Sequence, residues 1–253
     1  MSKNKSRGMS LVELMIAMAI GLVVIGSVLS FTMSSLNTNS EYVQATRLSQ
    51  ELRNTMDFVT RELRRAGYDE NVGSYPARYA VSGLVTPTFS KIFVTPTCVL
   101  FAYDRTGGTP GTVDLARGEI RGFRLMTRTV DGVDVGVIEV AESAAGVTPS
   151  CTAGGPNYSN YPPTLNAGTG WSSLTDPRVL NITQFNLDTS GYITQTGSAT
   201  SAPVVLREID VQLQGQLRNS LDGTVTRGIQ STIRIRADCI GAATVCDDEP
   251  SGI

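Results

Sequence analysis

The sequence predicts an α+β chain: one long N-terminal helix, its first half apolar enough to cross a membrane, packed on an antiparallel β-sheet ectodomain. Three observations predict it. No charged residue lies between Leu14 and Ser40, and from Met9 to Phe31 nearly every side chain is apolar or small. That is close to the roughly 20 residues, at about 1.5 Å rise each, that span a hydrocarbon layer. From Glu41 to Ala66 the helical period continues, with Leu48, Leu52, Met56, Val59 and Leu63 spaced by fours and threes on one face. After Tyr68 the composition changes to Gly, Thr, Ser, Val and Pro in short alternating runs parted by turn residues, which read as strands.

The apolar run is preceded by Lys3, Lys5 and Arg7, so the positive-inside rule puts the N-terminus in the cytosol and everything after Phe31 across the membrane. A secretory signal fits poorly, because its apolar region would cover only about 7–15 residues and end at a small-x-small cleavage site. Here the basic leader stops at Gly8, ahead of the apolar segment. Glu13 lies just inside the span. A carboxylate costs about 2.5–3.5 kcal/mol at mid-bilayer and less near the interface, so it requires a partner. Ser10 and Glu13 have the S-x-x-E spacing of a capping box. Alternatively, a cut after Gly8 exposes a cationic amine on Met9 that pairs with Glu13 of a neighbouring subunit, and the two accounts are compatible. Gly21 and Gly26 match ordinary span composition, and Met15 and Met18 read as packing residues.

On the second half of the helix, Arg47, Glu51, Arg53, Asp57, Arg61 and Arg64 oppose the apolar face as a solvated charge stripe. Asp57 and Arg61 are placed for an i,i+4 pair, and the cations of the last turn suit the dipole before Gly67 ends the helix. One helix from about Met9 to Ala66 would be roughly 85 Å long. Strands are expected at 91–94, 98–103, 120–128, 133–140, 179–188, 204–216 and 224–236. In the last two, Ile209, Val211, Leu213, Ile229, Ile233 and Ile235 alternate with polar residues, wholly or in part, and Asp222-Gly223 is a hairpin signal. Residues 144–176, rich in Gly, Pro, Ser, Asn and Thr, read as a long surface insertion. Its Tyr158, Tyr161 and Trp171 either form a contact surface or, in the case of Trp171, cover the sheet edge.

The 253 residues are 41% hydrophobic and 17% charged, enough for one sizeable ectodomain core. The net charge of −2 includes the three cations before Gly8, so the side chains after it sum to −5. No basic patch with interleaved aromatics appears, which argues against nucleic acid. The chain has no histidine, which excludes catalytic triads, most zinc hydrolase centres and the commonest general base, and Lys91 is the only lysine beyond the leader. The expectation is a non-enzyme with no cofactor and no metal. Asp131 and Asp134 read as a hairpin turn, and Asp247-Asp248-Glu249 as a solvated tail, since neither forms a calcium loop. Cys98, Cys151, Cys239 and Cys246 all lie on the translocated side, where disulfides form. Four cysteines allow three pairings; Cys239 with Cys246 would close a short loop, leaving Cys98 with Cys151.

Arg7-Gly8 followed by Met9-Ser10-Leu11-Val12-Glu13-Leu14 resembles the processing site of type IV prepilins and type II secretion pseudopilins. The resemblance implies cleavage after Gly8 by a prepilin peptidase, N-methylation of Met9, and assembly through the helix that follows. It also implies a pilin-like fold, and a C-terminal disulfide loop is a feature of that family. Met9 replaces the usual Phe, and no proline interrupts the span, the first being Pro76; local melting would have to come from Gly21, Gly26 and the Ser27/Ser30 pair. The implied organisation is a leader at 1–8, a membrane and assembly segment at 9–31, an amphipathic segment at 32–67 and a β-rich head at 68–253. Residues 48–65, 204–216 and 227–237 are similar to PilW-type minor pilins, counterparts of the J-type minor pseudopilin. Implied partners are other minor pilins, the major pilin, the prepilin peptidase, the inner-membrane assembly platform and a large tip adhesin. The implied location is the inner membrane, then the pilus tip. The competing readings are a type II secretion pseudopilin and a signal-anchored periplasmic binding protein or enzyme.

Overall fold

The structure is a computed structural model that describes residues 10–70, 88–105, 112–159, 162–195, 203–218 and 225–240. It opens with α1, Leu11–Leu63, 53 residues long. Two compact units, Met1–Thr46 and Arg47–Ile253, divide within this helix. Helical bonding tightens after Leu63, where Arg65 and Ala66 donate to Glu62 and Leu63. The chain then turns at Gly67, whose φ of +79° is one that side chains avoid. A Cβ there would also lie 2.7 Å from the Ala237 methyl, so the residue is fixed by backbone and space together.

The second unit contains three antiparallel sheets. The largest has strands in the order β1 (Ile92–Thr95), β2 (Cys98–Ala102), β3 (Ile120–Val130), β4 (Val133–Glu142) and β5 (Trp171–Ser173). A second sheet places β10 (Thr226–Arg234) beside β9 (Glu208–Leu217), and β9 beside β6 (Leu180–Asp188). The third joins β11 (Cys239–Ile240), β8 (Val204–Leu206) and β7 (Ile193–Gln195). With one long helix and antiparallel sheets the fold is α+β, as expected. Asp131 and Gly132 join β3 to β4 with both φ values positive, the two-residue turn whose twist suits a hairpin.

The buried face of α1 in this unit contains Leu48, Leu52, Met56, Val59 and Leu63, the set that the sequence period selects. They share one core with Phe101, Phe123, Ile138 and Phe185, and with Ile209, Val211 and Leu213 of β9. Each such side chain contributes about 1.5–3 kcal/mol by leaving water. Phe58 meets Phe123 edge to face at a centroid distance of 5.8 Å. The two larger sheets approach closely at Gly136: a Cβ there would overlap the Ile182 carbonyl oxygen, and its N–H donates to Asn181 Oδ1 at 2.8 Å.

Several expectations are corrected. The 204–216 strand is two strands, because Arg207 turns inward between β8 and β9 and is buried while donating to the Ser90 and Ala237 carbonyls. The Asp57–Arg61 pair is not made; the Arg61 guanidinium lies 5.5 Å from the Phe58 ring centroid instead, where a cation gains from the ring face. The Asp222-Gly223 turn lies outside the described residues.

Candidate functional site

Two regions bear on function, and each is built from its own unit. In the first, Gly8 and Met9 lie outside the described residues. Glu13 sits in the first turn of α1, exposed, where a carboxylate suits the positive end of the helix. Among the described residues its side chain has no intramolecular partner. The reciprocal bond of a capping box with Ser10 is therefore not formed, which corrects the local account of this carboxylate. Around it Leu11, Val12, Leu14, Met15 and Ile16 are exposed, as are Met18, Ile20, Leu22 and the apolar residues on to Phe31 and Leu36. This helix is long and apolar enough to cross a membrane. Its hydroxyls bond internally: Ser27 donates to the Val23 carbonyl at 2.7 Å and Thr32 to that of Val28 at 2.8 Å. Such internal bonds are what a medium without water demands. α1 continues unbroken through Gly21 and Gly26, and a Cβ at either would meet nothing within 4 Å.

The second region lies in the head, where sequence reasoning missed a buried charge network. Arg124 of β3 and Glu139 of β4, cross-strand partners, are 1% and 0% exposed. Arg124 Nε donates to Glu139 Oε2 at 2.8 Å, and Nη2 stands 2.7 Å from the same oxygen as an ion-pair contact without hydrogen-bond geometry. The other oxygen, Glu139 Oε1, accepts from Arg128 Nε at 2.7 Å and from the Tyr158 hydroxyl at 3.2 Å. Arg124 Nη1 then reaches out of the sheet to the carbonyls of Cys151 and Ala153, at 2.9 and 2.7 Å. Its guanidinium lies 3.9 Å from the Trp171 ring centroid. Trp171 Nε1 donates to the Ser150 carbonyl at 3.0 Å, and a disulfide joins Cys151 to Cys98 of β2.

The 144–176 stretch is therefore not a loose insertion. A disulfide, a buried cation and a fully buried tryptophan hold it, and its Trp171–Ser173 segment pairs with β4 as β5. Trp171 covers the sheet edge and offers no contact surface; Tyr158 is half-buried on the network, and Tyr161 lies outside the described residues. Burial draws the Arg124 pKa below its ordinary value against the opposing pull of Glu139, and pushes that of the Tyr158 phenol up. Both Glu139 oxygens and two of the three Arg124 nitrogens are hydrogen-bonded to protein, so the network holds chain in place rather than acting on a ligand.

A smaller buried cluster closes the end of α1. The Tyr103 hydroxyl donates to Glu62 Oε2 at 3.0 Å, Arg65 lies 4.2 Å from the Tyr103 ring centroid, and burial raises the Tyr103 pKa. Asp131 pairs with Arg178 and Arg218, and Asp134 accepts from Thr129, so both carboxylates of that turn are engaged. Cys239 is disulfide-bonded; Cys246 and residues 247–249 lie outside the described residues. The sequence signal for the Arg124 network was slight: an arginine and a glutamate in runs that otherwise alternate.

A family model described as prepilin peptidase-dependent protein B matches residues 41–235, and one described as the prokaryotic N-terminal methylation motif matches residues 3–29. No curated protein and no solved structure matches the chain.

Proposed function

Given that the chain belongs to the prepilin peptidase-dependent protein B family, a prepilin-like pilin or pseudopilin anchored in the inner membrane by its apolar helix, we propose that it is a minor pilin. It primes assembly of a type IV pilus and stays at the tip in a complex with other minor pilins. A prepilin peptidase cuts after Gly8, and the methylated Met9 amine becomes the cation that Glu13 of an adjacent subunit meets. The observation that carries this reading is Glu13 itself: an exposed carboxylate among exposed apolar residues, within the methylation-motif match, with no partner in its own described chain. A charge in such a setting is stable only when another charge reaches it. The apolar helix then moves from lipid to a bundle of like helices without exposing either charge. The head, stapled at Cys98–Cys151, supplies the surface that meets other minor pilins, the major pilin and a tip adhesin, and the assembly platform in the inner membrane drives insertion.

The test is the N-terminal residue and its mass, on protein from membranes and from sheared fibres. Methylated Met9 in both supports the reading. Methylated Met9 in membranes alone, with lost exoprotein secretion on deletion, assigns the chain to a type II secretion pseudopilus. An N-terminus at Met1 or Ser2 refutes both and leaves a signal-anchored protein.

A further inference from the structure

We infer that the open edge of β10 is a strand-addition site for an extended segment of a partner subunit, with the position of Gly228 selecting one side chain of that segment. β10 is the outermost strand of its sheet. The Ile235 N–H donates to the Arg207 carbonyl at 3.0 Å, continuing the register in which Arg234 faces Glu208. Backbone groups alternate sides along a strand, so residues 229, 231, 233 and 235 address β9. Gly228, Gln230, Thr232 and Arg234 turn their N–H and C=O groups to the open edge. Among the described residues no hydrogen bond is made to these eight groups, spread over about 20 Å.

Natural sheets guard such edges with bulges, prolines, charges or short strands. β10 runs in unbroken register with β9 from Thr226 to Arg234, and Gly228–Ile233 contains neither charge nor proline. On the solvent face a cleft of about 280 Å³ lies against this edge, walled by Gln184, Gln212, Gln214 and Gln230. Gln184 faces Gln214, and Gln214 faces Gly228; the row ends at a residue without a side chain. A strand added beside β10 would bring its own side chain to about 4.5–5.5 Å from that position, among four amides that donate and accept. Backbone bonds supply affinity in strand addition, and pockets for alternate side chains supply specificity.

The chemistry of the occupant follows. It is an extended segment of about six residues, with a polar uncharged side chain at the Gly228 register. A carboxylate lies toward Arg234 and Arg236, which are exposed and make no ion pair among the described residues. That the segment belongs to a pilin-type neighbour rests on the proposed function.

The test places a photo-crosslinking amino acid at Gln230, at Thr232 and, as control, at the exposed Ile193 of β7 in the full-length chain in its own cells. Crosslinked peptides are then sequenced. The expected result is that Gln230 and Thr232 label one short stretch of a single pilin-type subunit, about two residues apart, while Ile193 does not. Gln230→Pro removes an outward N–H donor together with one amide of the cleft wall and should cut recovery of that partner, captured from Thr232, at least tenfold, with Trp171 emission unchanged. Label scattered over many proteins, label on a second copy of this chain, equal label from Ile193, or full recovery with Gln230→Pro would each overturn the inference. Met9 mass in the same preparation separates the outcomes: methylated Met9 without edge crosslinks removes the strand-addition site alone, and unprocessed Met9 removes the pilin reading.

Discussion

Replacing Arg124 by methionine removes a buried cation while keeping most of its volume. The carbonyls of Cys151 and Ala153 lose their donor, at about 1–3 kcal/mol for each buried group left unmet. The stacking on Trp171 at 3.9 Å goes as well, worth about 2 kcal/mol when desolvated. Glu139 keeps Arg128 and Tyr158, so it is not stranded, and the Ser150 carbonyl keeps Trp171. Together these give an expected loss of about 4–8 kcal/mol, against a total stability of about 5–15 kcal/mol. Trp171 is the single tryptophan of the chain, so urea unfolding of the full-length protein in detergent, followed by its fluorescence, reads both stability and local order. The variant should unfold at lower urea and emit further to the red before unfolding. Arg124→Lys keeps the charge without the planar fork and should fall between. A loss under about 1 kcal/mol with unchanged emission would refute the anchoring role.

Glu13→Ala should leave membrane insertion intact and lower pilus number, counted by electron microscopy; normal piliation would sink the pairing role. Cys98→Ser with Cys151→Ser opens a loop of sequence separation 53 and should cost about 4 kcal/mol in urea titration; reductant should then destabilise the double variant less than the native chain, since only the Cys239 disulfide is left to open, and an equal loss in both would exclude Cys98–Cys151 as the source. Burial raises the pKa of Glu119 although the Asp114 and Arg105 N–H groups donate to it. The folded chain then holds this proton more tightly than the unfolded chain, so the contribution is full below the ordinary carboxylate value and lost as pH rises through the raised one. Glu119→Gln should flatten that decline in Tm against pH, and an unchanged slope would exclude Glu119 as its source.

Residues that follow a period were legible. Leu48, Leu52, Met56, Val59 and Leu63 are spaced so that only one helix face contains them, and that face is buried. Ile209, Val211 and Leu213 alternate on β9 and are buried likewise. The N-terminal methylation motif was legible because a basic leader, a glycine and one charge in an apolar run stand out together. Arg124 and Glu139 on their strands, and Arg207 between β8 and β9, were not, because charged residues normally face water, and only tertiary partners reverse that. β5 was hidden because Trp171–Ser173 is three residues long and pairs with β4 only after the chain returns from Cys151. A short strand far in sequence from its partner leaves no periodic trace.

The Cys98–Cys151 bond has a mechanical consequence. β3 and β4 lie wholly between the two cysteines, so a pull on the chain from either side is carried across the sulfurs and bypasses both strands. About 180 Å of contour length, the extended span of those 53 residues, cannot be drawn out while the bond holds. A fibre subunit loaded along its chain would therefore yield first in segments outside this loop and keep its longest hairpin folded under tension.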